Sequence, residues 1–164
     1  HIGICPESHE IIVAEVTELE KTDCEIGPKL MRQAPRSVNK VTTDGAYDTW
    51  ECYREAYENG QTLIVPPRNG AVIHDGKEPW HEERNNAIYE IIGLGNSDEA
   101  IALWKKLVGY HERSLVETAF SRFKGIFGSQ LFSKIIDNQD VELKVKAYAL
   151  NKMSQQGMPM GVMS

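Results

Sequence analysis

Residues 38–67, VNKVTTDGAYDTWECYREAYENGQTLIVPP, decide the fold class. Residues 38–43 and 62–65 are short β-branched runs, the first followed by Asp44-Gly45 and the second ended by Pro66-Pro67. Between them Asp48 reads as a helix N-cap with Glu51 three residues on, a capping-box geometry with Asp in place of Ser or Thr. The helix it opens runs to about Glu58, packs through Trp50, Tyr53 and Ala56 or Tyr57, and stops at Asn59-Gly60. Strand, helix and strand in so short a space make an α/β unit. Asp44 follows a strand and precedes a glycine and a helix. Its carboxylate therefore projects at the carboxyl end of a strand, the edge where open α/β sheets hold ligands. Local chemistry alone reads the same residue as an Asp-Gly turn.

Working outward, residues 2–5 and 11–16 are two more short β-branched runs around Pro6-Glu7-Ser8-His9-Glu10, which predicts a β-hairpin. Thr22 or Asp23 opens a helix to about Gln33 with Ile26, Leu30 and Met31 inward, Pro28 in its first turn or so, and Pro35 beyond its end. Downstream, residues 68–83 are polar, hold Asn69-Gly70, Asp75-Gly76 and Pro79, and read as a mobile loop. Trp80 in that loop reads as a cover on the core edge rather than a base-stacking residue. Residues 86–94 and 97–108 are helical pieces around Gly95, and 68–108 together form an insertion. Asn138 caps a helix to about Gln155 with Val141, Leu143, Val145, Ala147, Leu150 and Met153 as its apolar residues. Residues 157–164, with Met158, Met160 and Met163, read as a flexible tail.

The 164 residues suffice for one domain, and 41% hydrophobic with 26% charged residues is ordinary for a globular chain. No apolar run is long enough for a membrane helix. Cys5, Cys24 and Cys52 are odd in number and lack a C-x-x-C pair, which points to a reduced compartment and gives no zinc spacing with the histidines. The net charge of −6 lies entirely in residues 1–60, which hold 6 Lys and Arg against 12 Asp and Glu. An acidic chain does not bind nucleic acid by general electrostatics, so any such binding must come from local basic groups, metal ions or further chain.

Residues 109–128, GYHERSLVETAFSRFKGIFG, lie between two glycines. Leu115, Val116, Ala119, Phe120, Phe123, Ile126 and Phe127 recur at helical spacing and form an apolar face. Tyr110, Arg113, Glu117 and Lys124 are offset so that on one helix they fall within about 60° of each other, at the edge of that face. Spacing alone allows two readings: a surface ion pair between Arg113 and Glu117 at i, i+4, or a carboxylate set between cations to serve a site.

The order Tyr110, two residues, Arg113, three residues, Glu117, six residues, Lys124 matches the Y-R-E-K signature. On this signature, and on the phrases TTDGAYDT, VPPRNGA, WKK, GYH and SLVETAFSRFK, the chain resembles one branch of the DDE transposases of bacterial insertion sequences. That resemblance implies a ribonuclease H-like mixed sheet flanked by helices, with a helical insertion before the Glu-bearing helix and the first strand missing. Residues 1–156 would be a partial catalytic domain. Asp44 and Glu117 would be the second and third acidic residues of the catalytic site and ligands of two divalent ions, Mg²⁺ or Mn²⁺. Hard oxygen donors in small number suit such ions, which keep several water or substrate oxygens. Tyr110, Arg113 and Lys124 would contact the transposon-end backbone. The reaction implied is cleavage at the element's ends and strand transfer into target DNA, by a homodimer in the synaptic complex of a cytoplasmic, DNA-associated bacterial protein. The first catalytic aspartate would lie upstream of residue 2, and the chain alone would be inactive. A non-catalytic or regulatory remnant of a broken element, and a nuclease of the same fold, are the competing readings.

Overall fold

The computed structural model describes residues 1–17, 22–68 and 70–157. The chain forms two compact units, one of residues 20–113 and one of residues 1–19 with 114–164. Among the described residues there are six α-helices and two small sheets, one antiparallel and one parallel, so the architecture is mixed α/β. The tail expected at 157–164 lies outside the described residues from 158 onward.

In the first unit, β1 (Ile2–Ile4) and β2 (Ile11–Ala14) pair antiparallel as the expected hairpin. Helices α5 (Ser114–Phe127) and α6 (Ile136–Gln155) cover it, and Ile2, Ile11, Ala14, Ala119, Phe123, Leu143, Ala147 and Leu150 form the core. The buried residues of α6 recur at i, i+4, i+7, so one face is inward. Val141, Val145 and Met153 fall off that face and are exposed, against the expectation from their apolar character. Ile126 on α5 is likewise exposed.

In the second unit, α1 (Asp23–Gln33), β3 (Lys40–Thr42), α2 (Trp50–Glu58) and β4 (Thr62–Ile64) realise the α/β unit read from residues 38–67. The crossover makes β3 and β4 parallel, with Lys40 opposite Thr62 and Thr42 opposite Ile64. Met31, Cys52, Tyr53, Ala56, Leu63 and Val65 form the core, and Trp80 packs against its edge as expected. Gly27 lets α1 approach: a Cβ there would stand 2.6 Å from the Tyr47 ring. Pro28 sits inside α1 rather than in its first turn, because the helix already begins at Asp23.

Three expectations need correction here, and the first is the cap of α6: the helix already begins at Ile136 after Ile135, so Asn138 lies inside it and does not cap it. The N-cap of α2 is Thr49, whose hydroxyl accepts from the Cys52 N–H at 3.4 Å, and not Asp48. Helix α3 (Pro79–Gly93) starts inside the stretch read as loop, because Pro79 at the first position has a pre-set φ and no N–H to leave unpaired. The preceding residues are tied to it: the Asn85 side chain accepts from the His74 N–H at 2.9 Å and donates to the His74 carbonyl at 2.6 Å. After Gly95, α4 (Asp98–Leu107) completes the helical pair.

The sheet edges differ in how they end. On the outer edge of β2, the Asn151 amide accepts from the Ile11 N–H and donates to the Ile11 carbonyl, both at 2.8 Å. Asp140 accepts from the Val16 N–H at 3.4 Å on the same side. On the outer edge of β4, Glu83 accepts from the Leu63 N–H at 2.9 Å. Among the described residues no side chain closes the other edges, where Ile2 and Ile4 of β1 and Lys40 and Thr42 of β3 turn their peptide groups away from their partner strands.

Candidate active site

Asp44 stands two residues beyond β3, as the N-cap of a 3₁₀ turn at Gly45–Tyr47. Its extended backbone lets Oδ1 accept from the Ala46 N–H at 3.0 Å, the turn role that local chemistry foresaw. Its other oxygen faces Arg113, with Nη2 to Oδ2 at 3.3 Å and the two side chains 39% and 34% exposed. The turn role and the site role are therefore compatible in one carboxylate: one oxygen fixes the backbone and the other faces outward to a cation.

Arg113 does not lie on the same helix as Glu117. Gly109, at φ +73°, reverses the chain after α4, and Tyr110–Arg113 form a 3₁₀ turn before α5 begins at Ser114. The stripe drawn at 100° per residue through all four signature residues is thus broken, because a 3₁₀ turn advances more per residue and precedes the α-helix. The division between the two units falls at the same point, after Arg113. Asp44, Tyr110 and Arg113 belong to the unit of residues 20–113, and Glu117 and Lys124 to the other.

Tyr110 is half-buried, with the Lys105 ammonium 5.4 Å from its ring centre. Glu117 is exposed in the first turn of α5, where the helix dipole favours a carboxylate. Lys124 is exposed near the other end of α5 and lies 5.6 Å from the Phe120 ring centre. Glu117 and Lys124 are two turns apart and share a face of that helix.

Sequence spacing gave no sign of two features beside this site. Lys40 of β3 donates to the Val108 carbonyl at 3.1 Å and to Glu112 at 3.5 Å, which pins the signature's 3₁₀ turn against the strand. Asp48, buried, accepts from Arg84 at 2.8 and 3.2 Å and from the Arg68 N–H at 2.9 Å, tying the start of α2 to α3. Arg84 also lies 5.0 Å from the Trp50 ring centre.

A profile of the transposase DDE domain matches residues 1–151, nearly the whole chain. The chain belongs to the transposase DDE domain family. Membership gives it a general function in DNA transposition, with DNA as partner and divalent metal ions as the usual cofactors of such domains. Intact members of the family are nucleotidyl-transfer enzymes. No solved structure matches the chain, and among the described residues no helix is long and apolar enough to cross a membrane.

The residues of this DDE domain fit a divalent ion in kind and fall short in number. Asp44 offers a hard, partly exposed oxygen donor of the sort Mg²⁺ prefers. Among the described residues, however, no three His, Cys, Asp or Glu side chains come together.

Proposed function

We propose that this chain supplies part of the catalytic centre of an insertion-sequence transposase of the Y-R-E-K branch, acting in metal-dependent cleavage and strand transfer at the element's ends. The observation that carries the reading is Asp44: a partly exposed carboxylate just past a parallel β-strand, next to the signature arginine. In this reading Asp44 and Glu117 are acidic ligands of Mg²⁺ or Mn²⁺, completed by a further ligand from outside the described residues. The ions, when bound, supply positive charge to the attacking and leaving oxygens of the phosphodiester. Tyr110, Arg113 and Lys124 meet the backbone of the terminal repeats, where cations position the duplex without reading its sequence. Residues 68–108 act as an insertion ahead of the Glu-bearing helix, and the working unit is a homodimer on paired ends.

One observation favours a second reading. The acidic set among the described residues is incomplete, as a non-catalytic remnant of a broken element would have it. The two readings part in one assay, divalent-metal-dependent cleavage of DNA bearing the element's ends by the full-length protein. The catalytic reading expects Asp44→Ala and Glu117→Ala each to abolish cleavage while end binding is largely kept. Cleavage at the wild-type rate by either variant removes that residue from the site, and an inert wild-type protein leaves the remnant reading standing.

A further inference from the structure

Helix α6 carries apolar residues on two opposite faces. Leu143, Ala147 and Leu150 are buried against the hairpin and α5. Val141, Val145 and Tyr148 stand on the other side, 59%, 62% and 64% exposed. At about 100° per residue these three fall within about 60° of each other, and Asp137 and Lys152 extend the same stripe by a turn at either end. Valine is a weak helix former, and these two valines are not part of the core, so neither propensity nor packing within the chain accounts for them. The stripe is also ordered by charge. Asp137 lies in the first turn of α6 and Lys152 in the last. The Lys152 ammonium is 5.6 Å from the Tyr148 ring centre and donates to Gln155 at 3.1 Å. Lys144, at mid-helix, is already paired with Asp140 at 2.5 Å. From end to end the stripe therefore runs acid, Val141, Val145, Tyr148, base, an order that is complementary to itself when reversed.

We propose that this face of α6 docks on the same face of a second copy of this chain, antiparallel and about a twofold axis near Lys144 and Val145. This surface gives the homodimer of the transposase reading its contact, and so rests on that reading. Centred there, the reversed copy sets Asp137 of each chain opposite Lys152 of the other and Val141 opposite Tyr148, and the twofold repeats each contact. Two chains of net charge −6 repel at long range, but salt screens that repulsion while the apolar middle of the stripe still loses water on contact. One helix face of about 30 Å buries less than the roughly 1,200–2,000 Å² usual for a stable interface. The contact is therefore weak between free chains and closes when two copies are held near each other, as on paired DNA ends, where the effective concentration is high.

The test is sedimentation velocity of the full-length protein over a wide concentration range, with a charge reversal at each end of the stripe. Asp137→Lys and Lys152→Asp should each weaken self-association about tenfold, since the twofold puts every like-charge clash into the contact twice. Mixed together, the two variants should associate as the wild type does, because each then meets the opposite charge on the other. A defect of folding is not rescued by mixing. Val145→Cys, beside the axis, should cross-link copies under oxidised glutathione well beyond the wild-type level. A dimer indifferent to both reversals and without that cross-link overturns this surface and leaves the homodimer reading standing. A protein still monomeric at about 1 mM, the effective concentration that tethering gives, overturns both. A Val145→Cys thiol shielded from alkylation in a monomer shows another part of the chain lying over the face, and that too overturns the proposal.

Discussion

Asp48 and Asp44 are four residues apart and do opposite work. Asp48 is 6% exposed, with Arg84 paired to both of its oxygens, so its charge is compensated only as long as Arg84 stays. Removing one partner of a buried pair strands the other, at a cost of about 3–5 kcal/mol. Asp48→Ala should therefore lower the unfolding free energy measured by urea titration by an amount of that order, while Asp44→Ala, at a partly exposed pair, should lower it by about 1 kcal/mol or less. Equal, small shifts would mean that Arg84 finds another partner. The sequence showed the place of Asp44 after a strand, and the structure has it two residues beyond β3. The sequence misplaced Asp48, because Asp48 and Thr49 are both good caps and the deciding partner lies 36 residues away. Glu142 adds a pH-dependent feature. Its bonds to Lys146 and to the Ser133 and Phe132 N–H groups hold its carboxyl down at about 2. These bonds are kept above the ordinary carboxylate range and are lost as pH falls toward that value. The amide NMR signals of Phe132 and Ser133 should shift with a midpoint near about 2 and lose that step in Glu142→Gln. A midpoint at the ordinary carboxylate value would contradict the contact.

At the scale of the elements, the two sheets are closed on one side by single side chains, and Glu83 is the clearest case. Burial raises its carboxyl above the usual range, while the bond from the Leu63 N–H pulls weakly the other way. A raised acid makes the folded state favour the neutral form, so its ionisation costs stability as pH rises through that range. Glu83→Gln keeps the acceptor and drops the charge, and should leave the fold unchanged or slightly more stable at neutral pH. Glu83→Leu leaves the strand N–H unpaired and should cost about 1–3 kcal/mol by denaturant unfolding. If the two variants behave alike, the Leu63 bond contributes nothing. The type and order of most elements were legible, because β-branched runs, Pro-Pro and Asn-Gly stops are local signals. The interruption at Gly109 was not. An apolar period of 3.6 runs through residues 115–127, and nothing in it shows that the four residues before it take a tighter turn.

At the scale of the molecule, the division into two units could not be read from the sequence, since one unit joins residues 1–19 to residues beyond 113. Contacts so distant along the chain leave no periodic trace. The bonds between Ile11 and Asn151 span 140 positions. The sheet edges carry an expectation of their own. Strand edges left unpaired template further pairing, and folded proteins usually cover them. Here, among the described residues, Asn151 and Asp140 cover the β2 edge of one sheet and Glu83 the β4 edge of the other, while no side chain covers the β1 edge of the first or the β3 edge of the second. Amide hydrogen exchange should therefore find the Ile4, Lys40 and Thr42 amides of the 164-residue chain much faster than those of Thr43 and Leu63, which are bonded to Ile64 and Glu83. Slow exchange at Ile4, Lys40 or Thr42 would show that edge already paired, and would leave the ribonuclease H-like reading no open edge for a further strand there while family membership stands.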